Sequence, residues 1–235
     1  MKPVLQIQHV SKSFNGLKVL KDVTFEIQKG TVNSLFGSNG SGKTTLFNIV
    51  TGYLKADSGQ MKFKEFSLHD KKSKDIARYG LGKIWQAPRV FDNLTVMENL
   101  VLATPDHPGE KLLKYVFAIK KIVSEEDKRR EKAAGIAETI SLTEKLNESA
   151  GSLSFGQKKL LSIGMVMMNN ASLFLLDEPF SGVNSVMIER ISIVLNKLKE
   201  QGKTVLMIEH NRKKAGAISD QVFLLENGII MNGEK

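Results

Sequence analysis

Nine residues, Gly37-Ser38-Asn39-Gly40-Ser41-Gly42-Lys43-Thr44-Thr45, constrain this chain more than any other stretch. They match G-x-x-x-x-G-K-[ST] at every fixed position. The apolar run Val32–Phe36 precedes them and a helix-like segment, 44–51, follows. A strand that turns through glycines into a helix N-terminus makes an anion site. The glycines let the backbone wrap closely, the N–H groups point inward, and the helix dipole favours negative charge. In such a loop Lys43 reaches the β- and γ-phosphates of a nucleotide, and the Thr44 hydroxyl ligates Mg²⁺. The bland alternative is a chance Gly/Ser turn, against which the strand–helix context argues.

A second element of phosphate chemistry is Leu173-Phe174-Leu175-Leu176-Asp177-Glu178. An apolar strand delivers two carboxylates at its C-terminal end, where α/β sheets hold their ligands. Asp177 would hold Mg²⁺, directly or through water, and Glu178 would polarise an attacking water. An ordinary strand ending in an acidic loop reads the same way, so the motif gains its weight from the loop at 37–45.

The 235 residues suffice for one large domain, or for one domain with a lobe. No apolar run approaches the roughly 18 residues of a membrane span, and no charged-then-apolar signal segment opens the chain. Without cysteine there are no disulfides or thiolate metal sites, which suits a reducing cytoplasm. The net charge is +9, much of it at Lys111, Lys114, Lys120, Lys121, Lys128, Arg129, Arg130 and Lys132. Glu125, Glu126, Asp127 and Glu131 interrupt that stretch, and only Tyr115 and Phe117 supply aromatic rings. The mixture reads as a solvated helix face, with no specific nucleic-acid partner expected.

In chain order, 4–14 and 18–29 alternate like two strands joined by an Asn15-Gly16 turn. Strand 31–37 feeds the loop and helix 44–52 follows it. Asp57-Ser58-Gly59 turns into a strand at 60–68, a polar lysine-rich segment fills 69–78, and a short strand covers 82–86. From 88 to 165 the pattern turns helical, with segments at 96–103, 110–123 and 125–140 punctuated by Pro105 and Pro108. Ser154 opens a further helix to about Asn169. Strands at 172–177 and 203–209 flank a helix at 185–200, and strands at 220–226 and 229–232 close the pattern. This alternation predicts an α/β core with an inserted helical lobe.

Leu153-Ser154-Phe155-Gly156-Gln157 resembles the signature of the ATP-binding-cassette family, usually L-S-G-G-Q. Other markers follow one by one: Gln86 matches the glutamine that joins the Mg²⁺ and water site to the helical lobe. Ser181-Gly182-Val183-Asn184 resembles the family's D-loop, His210 the switch histidine that contacts the γ-phosphate, and Phe14 the ring stacked on adenine. Two departures, Phe155 and Asn184, bring the chain closer to the branched-chain amino-acid transporter ATPases. Gln86-Ala87-Pro88-Arg89-Val90-Phe91, the stretch 94–100 and the charged insert at 105–133 look like the same subgroup.

The resemblance implies a P-loop NTPase of ABC type over 1–235. A mixed-sheet core (about 1–87 and 166–235) would carry an N-terminal antiparallel β subdomain and an inserted helical lobe (about 88–165). It implies an ATPase using ATP and Mg²⁺, with Glu178, His210 and Gln86 catalytic and Thr44, Gln86 and Asp177 at the metal. ATP would lie between Phe14 and 37–45 of one copy and Ser154, Gly156 and Gln157 of a second ATPase subunit, in a homo- or heterodimer. Integral-membrane permease subunits, with a solute-binding protein as a further candidate, would make it the motor of an amino-acid importer. It would then lie in the cytoplasm on the inner face of the membrane. The alternative is a soluble cassette ATPase in nucleic-acid, ribosome or cofactor-assembly work.

Overall fold

A computed structural model describes residues 2–105, 119–210 and 215–233. The chain divides into two compact units. The first comprises Met1–Gln86, Ala171–Ser181 and Leu195–Lys235, the second Ala87–Asn170 and Gly182–Val194.

The first unit opens with β1 (Pro3–Phe14) and β2 (Leu17–Gln28), paired antiparallel. Asn15 and Gly16 take φ of 47° and 87°, the left-handed pair that a tight hairpin turn requires and that Asn-Gly supplies with little strain. β4 (Ser58–Phe63) and β5 (Phe66–Ser67) complete a four-stranded sheet in the order β2-β1-β4-β5. The alternation predicts one strand over 60–68; the chain instead turns at Lys64, whose φ is 56°. Nothing in Lys64-Glu65 signals a turn, since the alternation runs straight through it.

The second sheet of this unit is largely parallel. It contains β3 (Val32–Phe36), β6 (Leu81–Ile84), β7 (Leu173–Asp177), β8 (Thr204–Ile208), β9 (Gln221–Glu226) and β10 (Ile229–Gly233). Their order is β10-β9-β3-β8-β7-β6, with only the β10 edge antiparallel. Every residue of β3 and β8 is buried, the near-continuous apolar reading of a strand covered on both faces. Leu46, Phe47, Ile49 and Val50 of α1 (Lys43–Val50) join residues of both sheets in one core. α2 (Ser73–Arg78), within the segment read only as polar, buries Ile76 alone.

In the second unit α3 (Val96–Leu102), α4 (Ile119–Thr139) and α5 (Phe155–Met168) pack on one another. Gly164 permits the approach: a Cβ there would stand 2.7 Å from Ile140 and 3.0 Å from Leu100. Over the described residues α4 is continuous through 124, where the sequence pattern predicts a break between two helices. The start of the expected 110–123 helix, with Pro108, Lys111, Lys114, Tyr115 and Phe117, lies outside the described residues. α6 (Ser185–Glu200) begins in this unit and ends in the first.

Asn99, fully buried on α3, organises the loop before that helix. Its Oδ1 accepts from Phe91 N (2.8 Å), and its Nδ2 donates to the carbonyls of Phe91 (3.0 Å) and Thr95 (2.9 Å). Asn99→Ala strands those groups, and leaving buried polar groups unsatisfied costs about 1–3 kcal/mol. A urea-unfolding midpoint lowered to match, with the slope unchanged, is the expected outcome.

Candidate functional site

β3 ends at Phe36, and the chain then passes through Gly37 so closely to β9 that a Cβ would stand 2.1 Å from the Leu225 carbonyl oxygen. No side chain fits there. Gly40 and Gly42 adopt φ of 80° and 105°, left-handed positions that glycine takes without strain. α1 therefore starts with Gly42 as its N-cap and no side-chain cap, leaving its first N–H groups to an outside acceptor. Val19 and Leu20 of β2 press on Gly42, and Phe14 stands half-exposed in the same hairpin, paired with Leu17.

Within the loop Lys43 is buried, and its Nζ donates to the carbonyls of Gly37 (2.9 Å) and Ser38 (2.8 Å). Burial pushes its pKa down, while the charges of Glu178 and Asp177 push it back up. Ser41 Oγ is buried without a hydrogen-bond partner. Ser38, Asn39, Gly40 and Thr44 are exposed around it, and Thr45 is half-buried. A glycine loop with no room for a Cβ at Gly37 or Gly42, an orphaned hydroxyl and a buried ammonium together fit a phosphate chain.

The two carboxylates stand at the same edge. Asp177 is the last residue of β7, opposite Ile208 of β8, and Glu178 N donates to Ile208 O (3.0 Å). Burial raises the Asp177 pKa and the Glu178 charge adds to it, against the opposing charges of Lys83, Lys43 and His210. A divalent cation would reverse that pressure, so the residue is suited to Mg²⁺. Glu178 takes φ of 48°, a strained conformation for this residue type. Its Oε2 accepts from Gln86 Nε2 and its Oε1 pairs with His210 Nε2, both at 2.7 Å.

One unit thus gathers 37–45, Gln86, Asp177, Glu178 and His210. Ser154, Gly156 and Gln157 belong to the other. There Ser154 caps α5 reciprocally with Gln157: Ser154 Oγ accepts from Gln157 N (3.3 Å), and Ser154 N donates to Gln157 Oε1 (2.8 Å). Gly156 is buried, with Met187 of α6 only 2.3 Å from where a Cβ would be. The Phe155 ring lies against Gly182, half-exposed.

Two contributors escaped sequence reading. Lys83 donates to Asn48 Oδ1 of α1 (2.7 Å), lies 3.7 Å from the Trp85 ring centroid, and opposes the upward shift of Asp177. Its signal was a lysine inside a short apolar strand. Glu209, buried before His210, accepts from Phe180 N (2.8 Å) and so holds the turn after Glu178. A carboxylate ending an otherwise apolar strand marked it.

A phosphate loop and an acidic strand end on one sheet edge, with a capped signature helix, define an ATP-binding cassette. A family model described as ABC transporter matches residues 20–181. The probable branched-chain amino acid transport ATP-binding protein LivG of Archaeoglobus fulgidus is 35% identical over 97% of this chain and 88% of its own. The high-affinity branched-chain amino acid transport ATP-binding protein BraF of Pseudomonas aeruginosa is 32% identical, over 97% and 89%. The crystal structure of the ADP conformation of MJ1267, an ATP-binding cassette of an ABC transporter, aligns over 100% of this chain and 92% of that one. Its TM-score is 0.86 at 34% identity. The chain belongs to the ABC transporter family, as one of its ATP-hydrolysing cassettes.

Gly37→Ala tests the cradle. The added methyl drives Leu225 and the loop apart, so ATP affinity measured by calorimetry should fall about tenfold or more, the effect of about 1.4 kcal/mol. Gly135→Ala, where a Cβ meets nothing within 4 Å, should leave it unchanged.

Proposed function

We propose that this chain powers an importer of branched-chain or other amino acids by hydrolysing ATP between two cassettes. The observation that carries the hydrolytic part is the Glu178 carboxylate, bridged by Gln86 and His210 on the edge that bears the phosphate loop. The names of the relatives support the transported solute.

In this reading the loop at 37–45 binds the phosphates, Phe14 stacks on the base, and Lys43 neutralises the β- and γ-oxygens. Thr44, Gln86 and Asp177 would hold Mg²⁺, which would supply positive charge to offset the negative charge of the phosphates. Glu178 accepts a proton from the attacking water as that water's oxygen bonds to the γ-phosphorus; the bond from the γ-phosphorus to the β,γ-bridging oxygen breaks, and ADP leaves with the electron pair. Gln86 and His210 fix the carboxylate's orientation, so little reorganisation is needed at the moment of attack. Ser154, Gly156 and Gln157 serve the partner's nucleotide from the N-terminus of α5, where the helix dipole favours negative charge. Permease subunits carry the solute, and the cassette sits on the cytoplasmic face by binding them.

Glu178→Gln keeps the shape and loses the base. A positioned general base is worth about 10²–10⁴-fold, so the ATPase rate should drop within that range while ATP binding holds or tightens. A rate within about threefold of the parent would remove Glu178 from the chemistry.

Phe91 stands 57% exposed on the loop that Asn99 pins, a rigid apolar point offered to a partner. Phe91→Asp should cut recovery of membrane subunits in a pull-down at least severalfold and leave ATP affinity unchanged. Equal recovery would exclude this contact.

A further inference from the structure

The parallel strands have a second edge, at their N-terminal ends, away from the phosphate loop. Ser172 enters β7 there, Gly202 and Lys203 enter β8, and Lys29 leads from β2 towards β3. The opening residues of β1 and the Lys64-Glu65 turn join Lys29, Ser172 and Gly202 around a cavity of about 270 Å³, and the charge of Lys203, next to Gly202, acts on Lys64. Lys2, Lys29, Lys64, Glu65, Ser172 and Gly202 are among its lining residues.

The charges in this cavity do not balance. Glu65, the carboxylate in the lining, stands 3.6 Å from Lys2. Among the described residues no carboxylate pairs with Lys29, Lys64 or Lys203. Lys64 Nζ lies 5.0 Å from the centroid of the Phe63 ring. Partial burial holds the Lys64 pKa below the ordinary lysine value, and the like charges of Lys29 and Lys203 add to the effect. The backbone at Lys64 is itself left-handed, so a strained residue carries this charge into the cluster. On the wall, Ser172 Oγ is shielded from solvent and has no hydrogen-bond partner. Lys29 and Lys64 are exposed and Lys203 is half-buried, and an anion placed among them would offset their like charges and give the orphaned hydroxyl a partner.

We propose that this cavity is a second anion site of the cassette, taking a phosphoryl group. A single carboxylate would neutralise one of these three lysines. A phosphate carries nearly two negative charges and three strong acceptor oxygens, enough to engage several ammonium groups and the Ser172 hydroxyl together. Its source is a free phosphate compound or the headgroup of an anionic phospholipid, and the two separate by experiment.

The test uses Lys43→Ala, which disables the phosphate loop, and the same chain carrying Lys64→Gln and Lys203→Gln. Gln is chosen at 64 because Asn would also relieve the left-handed backbone. With pyrophosphate at about a hundredfold excess over its Kd, mass action should raise the melting midpoint by about 5–10 °C. The double-lysine substitution should abolish that shift. Its melting point without anion should equal or exceed the parent's, because repulsion is relieved. A pyrophosphate shift that the lysine substitutions remove assigns the site to soluble phosphates. Sedimentation with phosphatidylglycerol vesicles but not with phosphatidylcholine, again lost in the double substitution, assigns it to a lipid headgroup. The proposal fails if neither probe binds, if binding survives the substitutions, or if the substituted chain melts well below its parent without anion.

Discussion

The active edge depends on the register of the parallel ladder. Leu35 of β3 and Asp177 of β7 both stand opposite Ile208 of the strand between them. Evenly spaced parallel hydrogen bonds let the strands end together, so the phosphate loop, the acidic pair and His210 emerge side by side. A slip of one residue in β8 would turn every side chain to the other face and carry His210 away from Glu178. The Glu178 N–H bond to the Ile208 carbonyl extends the ladder one step past β7. Beyond it the backbone turns left-handed, aiming the carboxylate between Gln86 and His210.

The sequence was most readable where chemistry restricts residue choice. Asn15-Gly16 marked its hairpin because few residues accept two left-handed positions, and the apolar runs of β3, β7 and β8 marked buried parallel strands. Ser154, with Gln157 three positions on, marked the start of α5, and the capping box forms there. Where the restriction lies in packing, the sequence was silent. The turn at Lys64 interrupts an alternating pattern that would serve equally well as one long strand. α2 contributes a single buried side chain, too little for helical periodicity to stand out from lysine-rich surroundings. Lys83 and Glu209 acquire their roles only from neighbours far along the chain.

The signature helix illustrates a related point about residue identity. Gln157 commits its side-chain oxygen to the cap of its own helix, and Gly156 is small because Met187 needs the space. Both positions therefore have a structural role within the second unit before any nucleotide arrives. The ring of Phe155 shares its surroundings with Gly182, which links the departure at one motif to the geometry of the next. Asn184 likewise acts close to home, where its Oδ1 accepts from Met187 N at 2.9 Å and caps the start of α6.

The neighbours of β3 have a consequence for synthesis. This strand lies near the beginning of the chain, yet both its partners, β8 and β9, lie beyond residue 200. Leu225 of β9 is also what Gly37 packs against. As the chain leaves the ribosome, the hairpin of β1 and β2 can close early from local contacts. The phosphate loop has no wall until β9 has emerged, and ordering it requires pairing between segments far apart in the sequence. An interrupted or prematurely released chain would carry the full loop motif without a place to hold phosphate. Nucleotide binding in that sense reports that β8 and β9 have been made and paired.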